Sequence, residues 1–222
     1  RHPEARISYR SLVMTSGNLK GEPIITDTDE ALVKLGEVAD LFLVHDRRIL
    51  FRTDDSIVRT SSDGAAVLLR RSRGFVPRLI SLRSPLEETV LAAGADLKNA
   101  PALGQGKDVH LAPYIGDLED PLVRRDFDRQ IRQILQLYEV RPAVMVCDLH
   151  PGYYSSRWAR EFAVDIHLEV QHHHAHIVSC LAENGSEGPV IGLALDGDGN
   201  VFITGHSSYQ PWDPGAYKDV FA

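Results

Sequence analysis

Between Asp120 and Leu195 the chain runs helix, strand, helix, strand, helix, strand, and this alternation limits the fold more than any other feature. Asp120-Pro121 is an N-cap followed by a proline at the first helical position. Leu122, Phe127, Ile131, Ile134, Leu135 and Tyr138 then recur at helical spacing, which predicts a core-facing stripe. Arg141-Pro142 closes that helix, and Ala143 to Cys147 reads as a buried strand. A short helix over Ser155 to Phe162 and a strand over Asp165 to Val170 follow. The third pair is a helix from Gln171, ending near Asn184-Gly185 in a left-handed cap, and a strand over Pro189 to Leu195. The implied class is α/β.

The third helix carries the densest chemistry. Four of the ten histidines stand at 172, 173, 174 and 176. His172 and His176, at i and i+4, share a face and suit one divalent metal; Asp196, at a strand end, suits the third ligand. His173 and His174 point to other faces. The turn Asp196 to Asn200 fails as a calcium loop, because its sixth position is Val201 and its twelfth Ser207. Asp148 and His150 follow a buried strand, at the edge where α/β sheets bind ligands, and are candidate catalytic residues.

Upstream, Ile7 to Tyr9 and Leu12 to Met14 read as strand, emptying into the polar loop Thr15 to Pro23. That loop suits phosphate or carboxylate oxygens. A helix is expected over Asp27 to Lys34, a buried strand over Leu41 to Val44, and a hairpin from Asp55–Arg59 and Ala65–Leu69 about the turn Ser61 to Gly64. The second hairpin strand leads to Arg70, Arg71, Arg73 and Arg78, a cluster suited to bidentate anion binding. A boundary is placed between Pro77 and Pro85. Glu88 to Ala95 fits a helix capped by Ser84, or a strand turning at Gly94 into a phosphate-facing loop with Asp96, Lys98 and Asn99. The hairpin turn at Gly104 to Asp108 favours the strand. The tail from His206 to Ala222 has no placement.

A net charge of −7 argues against a nucleic-acid binder or an anionic-membrane binder. The two cysteines, Cys147 and Cys180, sit in apolar settings that fit buried thiols in a reducing compartment. No run is apolar enough to span a bilayer and no signal-like start is present, so a cytoplasmic location is expected. A first residue other than Met suggests a piece of a longer protein.

Several stretches together resemble one family. LVMTSGNLKGEPI, DSIVR, RRSRGFVP, AAGADLKN, YIGDLED, VCDLHPGYYS, VQHHHAH and IGLALDG occur in the order of the HypF-type carbamoyltransferases of [NiFe]-hydrogenase maturation. The resemblance implies the C-terminal part of a YrdC-like α/β domain over 1–80, then the first half of an actin-like ATPase α/β domain over 86–222. It implies ATP, with magnesium on the nucleotide, and carbamoyl phosphate as substrates. Carbamoyl-adenylate would form at the YrdC-like part, and the carbamoyl group would pass to the C-terminal cysteine thiolate of a HypE-type acceptor. By the same resemblance Ser16, Asn18, Ser56, Arg71, Arg73, Lys98 and Asn99 are nucleotide- or carbamoyl-binding, and His172, His176 and Asp196 are metal ligands. Zinc and ferrous iron suit that set equally. After Asp196-Gly197 the family's glycine-rich continuation gives way to another pattern, so the chain alone is expected to be inactive. The alternatives are a tRNA threonylcarbamoyl transferase relative and a noncatalytic remnant that binds metal or a partner.

Overall fold

The computed structural model describes residues 10–186, 189–195 and 201–206. The chain divides into two compact units, Arg1–Arg52 and Thr53–Ala222.

The first unit is built around α1 (Thr28–Leu35). Asp27 caps it by accepting from the Glu30 backbone N–H at 3.0 Å, and Lys34 in the last turn pairs with Glu22 and Glu30. These charges complement the helix dipole. The polar loop before it folds on itself, because the Asn18 amide donates to the Leu19 and Glu22 carbonyls and Ile25 N–H donates to Gly17. The strands expected at Leu12 to Met14 and Leu41 to Val44 do not form. Val13, Leu41 and Leu43 are 99%, 90% and 102% exposed. An apolar run becomes a strand only against a ladder partner, and none pairs with these runs among the described residues. Ile7 to Tyr9 lie outside the described residues.

The second unit opens with the expected hairpin, β1 (Ile57–Thr60) against β2 (Ala66–Arg70). There follow β3 (Ile80–Ser81), β4 (Val90–Ala92), β5 (Ala102–Gln105), β6 (Asp108–Leu111), α2 (Pro121–Leu137), β7 (Val144–Asp148), α3 (Tyr154–Glu161), β8 (Ile166–Val170), α4 (His172–Asn184), β9 (Val190–Leu195) and β10 (Val201–His206). Six strands form one sheet in the order β3-β6-β5-β4-β7-β8. β4 is its pivot. Toward β5, β6 and β3 every pairing is antiparallel, while β4/β7 and β7/β8 are parallel. The ambiguous stretch at 88–95 is therefore a strand, since Leu91 pairs with Leu103 on one side and Met145 on the other and is 1% exposed.

The core lies between the sheet and helices α2 and α3. Phe127, Ile131, Leu118, Met145 and Ala159 are fully buried there, and the Trp158 ring meets Phe127 edge-on at 5.0 Å. Burying a side chain such as Phe127 stabilises the fold by roughly 1.5–3 kcal/mol. Val123 rather than Leu122 begins the buried stripe of α2, a shift of one position from the expectation. α4 ends at Gly185 in the left-handed conformation, φ 57°. Gly192 of β9 lets α4 approach closely, because a Cβ there would stand 2.5 Å from Ile177. Cys147 is buried as expected; Cys180 is exposed, because α4 turns its side toward solvent and buries no residue fully.

Candidate metal centre

Parallel strands β4, β7 and β8 end on one edge of the sheet, and the chemistry-bearing residues follow those ends. In the β7/β8 register Asp148 stands opposite Val170, two residues before α4 begins. The helix starts on Gln171, whose side-chain oxygen accepts from His174 N–H at 2.8 Å, while its amide nitrogen donates to His173 Nδ1 at 2.7 Å. His173 is thereby occupied at the helix start.

Asp148 is 9% exposed and uses both carboxylate oxygens. Oδ1 accepts from His150 N–H at 2.8 Å, and Oδ2 lies 2.6 Å from His172 Nδ1. That contact assigns the His172 proton to Nδ1 and leaves Nε2 as the ring's lone-pair nitrogen. His172 Nε2 faces His176 Nε2 at 3.1 Å, with the rings at 88°. Two nitrogens each about 2.0–2.1 Å from one tetrahedral ion stand roughly 3.3 Å apart, so this pair is spaced for a shared metal. The His176 pKa is lowered, first by burial and then by His172 and His173, with Asp148 opposing. A lowered value favours the neutral, ligating ring. Asp196, the expected third ligand, lies outside the described residues. Among the described residues no group of three or more His, Cys, Asp or Glu gathers to hold a metal.

A cleft of about 730 Å³ runs from the histidine pair along α4 to the loop after β4, with Lys98, Asn99, Cys147 and Asp148 also on its wall. The Cys147 thiol is pushed up, mainly by burial and next by Glu169, which disfavours a thiolate. Lys98 adopts φ 51°, an uncommon left-handed conformation for a side chain of its size, fixed by its N–H donating to Asp117 at 2.7 Å. Asn99 is 1% exposed, and its amide donates to the Ala93 and Ala95 carbonyls. This holds the loop's shape. Asp96, expected in a phosphate-facing loop, instead accepts from Tyr154 N–H, Ser155 N–H and the Ser155 hydroxyl at 2.7–2.9 Å. It caps α3, whose own cap residue Tyr153 makes no side-chain bond.

The other expected site residues are placed elsewhere. His150 turns into its own loop, accepting from Gly152 N–H at 3.1 Å and stacking on Tyr153 at 4.3 Å. Ser56 clasps the base of the β1–β2 hairpin, donating to the Arg73 carbonyl and accepting from Ser72 N–H. Arg73 bonds the Thr53 carbonyl and pairs with Asp55, and Arg71 pairs with Glu183 of α4. Ser16 and Asn18 belong to the first unit, Ser16 exposed and Asn18 half-buried. Among the described residues no helix is long and apolar enough to cross a membrane.

Comparison with known proteins gives a consistent result. The family described as "HypF Kae1-like domain" matches residues 85–183, and the Sua5/YciO/YrdC family, described as "Telomere recombination", matches residues 4–72. Carbamoyltransferase HypF2 of Cupriavidus necator is 43% identical over 193 residues, covering 85% of this chain and 24% of that protein. Carbamoyltransferase HypF of a Synechocystis species is 40% identical over 191 residues, covering 86% of this chain and 25% of that protein. A crystal structure of full-length HypF in a phosphate- and nucleotide-bound form superposes with TM-score 0.78 at 38% identity, over 87% of this chain and 32% of that one. A crystal structure of T. kodakarensis HypF gives TM-score 0.75 at 38% identity, over 86% of this chain and 26% of that one. The chain spans about a quarter of the length of the curated relatives it matches.

Proposed function

The chain belongs to the HypF family, joining part of a YrdC-like α/β domain to part of an actin-like, Kae1-like α/β domain, and from this premise we propose that it serves carbamoyl transfer. In the whole protein, ATP and a carbamate derived from carbamoyl phosphate give carbamoyl-adenylate with release of pyrophosphate. The carbamoyl carbon then forms a bond to the C-terminal cysteine sulfur of a HypE-type acceptor as AMP leaves. Ser16, Asn18, Ser56, Arg71 and Arg73 are assigned to the adenylate-forming step, and Lys98 and Asn99 to the cleft that receives the carbamoyl group.

The observation that carries this reading is the facing pair His172 Nε2 and His176 Nε2, with Asp148 behind His172. His172, His176 and Asp196 would hold one divalent ion, zinc or iron, and the ion would supply polarisation of the carbamoyl oxygen. Asp148 keeps the His172 proton on Nδ1 and the ring aimed at its partner. Lys98 contributes positive charge at the cleft wall, suited to the anion that leaves.

The test has three arms. Purified 222-residue chain is expected to carry close to one equivalent of zinc or iron, and His172→Ala to lose it. Joined to the remaining segments of a relative, the chain is expected to place the carbamoyl group of labelled carbamoyl phosphate on the acceptor cysteine, with His172→Ala at background. Alone it is expected to give only background ATP/pyrophosphate exchange. Metal retained by His172→Ala, or full transfer without it, would remove the assignment.

A further inference from the structure

Arg70 at the end of β2 and Arg71 and Arg73 just after it are each ion-paired, but their partners differ in origin. Arg70 meets Asp54 at 3.0 Å and Arg73 meets Asp55 at 3.5 Å, both acids lying just before the hairpin that the arginines close. Arg71 instead pairs with Glu183, in the last turn of α4. The contact joins the YrdC-like match to the final residue of the Kae1-like match. Its two ends are unequal: the Arg71 side chain is 16% exposed and that of Glu183 is 46% exposed. A largely buried guanidinium is costly without an anion, whereas a half-exposed carboxylate loses little by turning to water.

We propose that Glu183 is a displaceable occupant of Arg71, holding the guanidinium that is assigned above to nucleotide binding until a phosphate or pyrophosphate group takes its place. The exchange frees the last turn of α4, the helix that begins with His172. A guanidinium fork fits two phosphate oxygens as well as it fits a carboxylate, so the two anions compete for one position. The identity of the natural anion, the pyrophosphate portion of a nucleotide, rests on the carbamoyl-adenylate reading; the competition does not.

Calorimetric titration of the 222-residue chain with sodium pyrophosphate tests the idea. Glu183→Gln is expected to bind about ten-fold more tightly than the unaltered chain, within the usual range of a coupling between two sites. Arg71→Ala should abolish binding in either background. Hydrogen exchange at 181–184 should rise when pyrophosphate is added to the unaltered chain and should already be fast in Glu183→Gln. Glu183→Asp, which shortens the reach and keeps the charge, should shift affinity in the same direction and covers the case in which the glutamine variant fails to fold. Equal affinity with and without Glu183, no binding by any form, or a gain that persists in Arg71→Ala would each overturn the proposal. These readouts need neither carbamoyl phosphate nor acceptor, so they fail or succeed independently of the transfer assay.

Discussion

Asp148 divides its carboxylate between its own loop and the His172 ring, and the second bond decides what that ring can do. Asparagine at this position keeps the shape but offers His172 Nδ1 either an amide N–H or a neutral oxygen. The first would move the ring proton to Nε2, and the second gives a weaker bond that holds the ring less firmly in its orientation. Asp148→Asn is therefore expected to weaken zinc binding about 10- to 100-fold, the usual cost of losing such a partner. Competition with a chromophoric chelator measures it, and an unchanged affinity would show that the contact does not serve the metal. The histidine spacing was legible in the sequence, because i and i+4 on a helix need no tertiary information. The Asp148–His172 bond was not, since it spans 24 positions and depends on the β7/β8 register. The arginine cluster was legible as suited to bidentate anion binding, but its pairing with the carboxylates of Asp54, Asp55 and Glu183 is a property of the folded chain.

At the scale of elements, periodicity succeeded where an element carries its own signal and failed where neighbours decide. α2 and α4 announce themselves by caps and spacing. The run at 88–95 satisfied both helix and strand patterns, and only its pairing with β5 and β7 settles it. Leu41 to Val44 shows the converse, an apolar run of the right length with no ladder to join among the described residues. Asp96 is a cap delivered from the loop after β4, so no local pattern at α3 could reveal it. Asp96→Ala removes three hydrogen bonds to the start of α3. Losing a capping carboxylate costs about 0.5–2 kcal/mol, and the partly buried setting places this one near the upper end. Urea unfolding should show the loss as a lower midpoint with an unchanged slope. A difference below about 0.5 kcal/mol would mean that water replaces the carboxylate without penalty.

Over the whole molecule, stability should follow the same division as burial. The second unit has a sheet with helices α2 and α3 against it and a set of fully buried apolar side chains, so its central amides can exchange only through large-scale opening. Among its described residues the first unit contains one short helix with no fully buried residue, and Val13, Met14, Leu41 and Leu43 stand at least 87% exposed. With little apolar area removed from water, nothing offsets the entropy of fixing those segments. Hydrogen exchange is therefore expected to separate the chain into two classes. Amides of Leu91, Met145 and Ile131 should exchange slowest, while those at 12–14 and 41–44 should exchange within the dead time of a manual experiment. Slow exchange in the first unit would mean that those apolar runs find partners in solution. The exposed runs lie within the YrdC-like match, and the chain covers only about a quarter of its curated relatives. Joining the chain to the remaining segments of a relative should then protect 12–14 and 41–44 while leaving Leu91 and Met145 unchanged. That pattern would show that the runs at 12–14 and 41–44 take their ladder partners from segments of the relatives outside the part this chain matches.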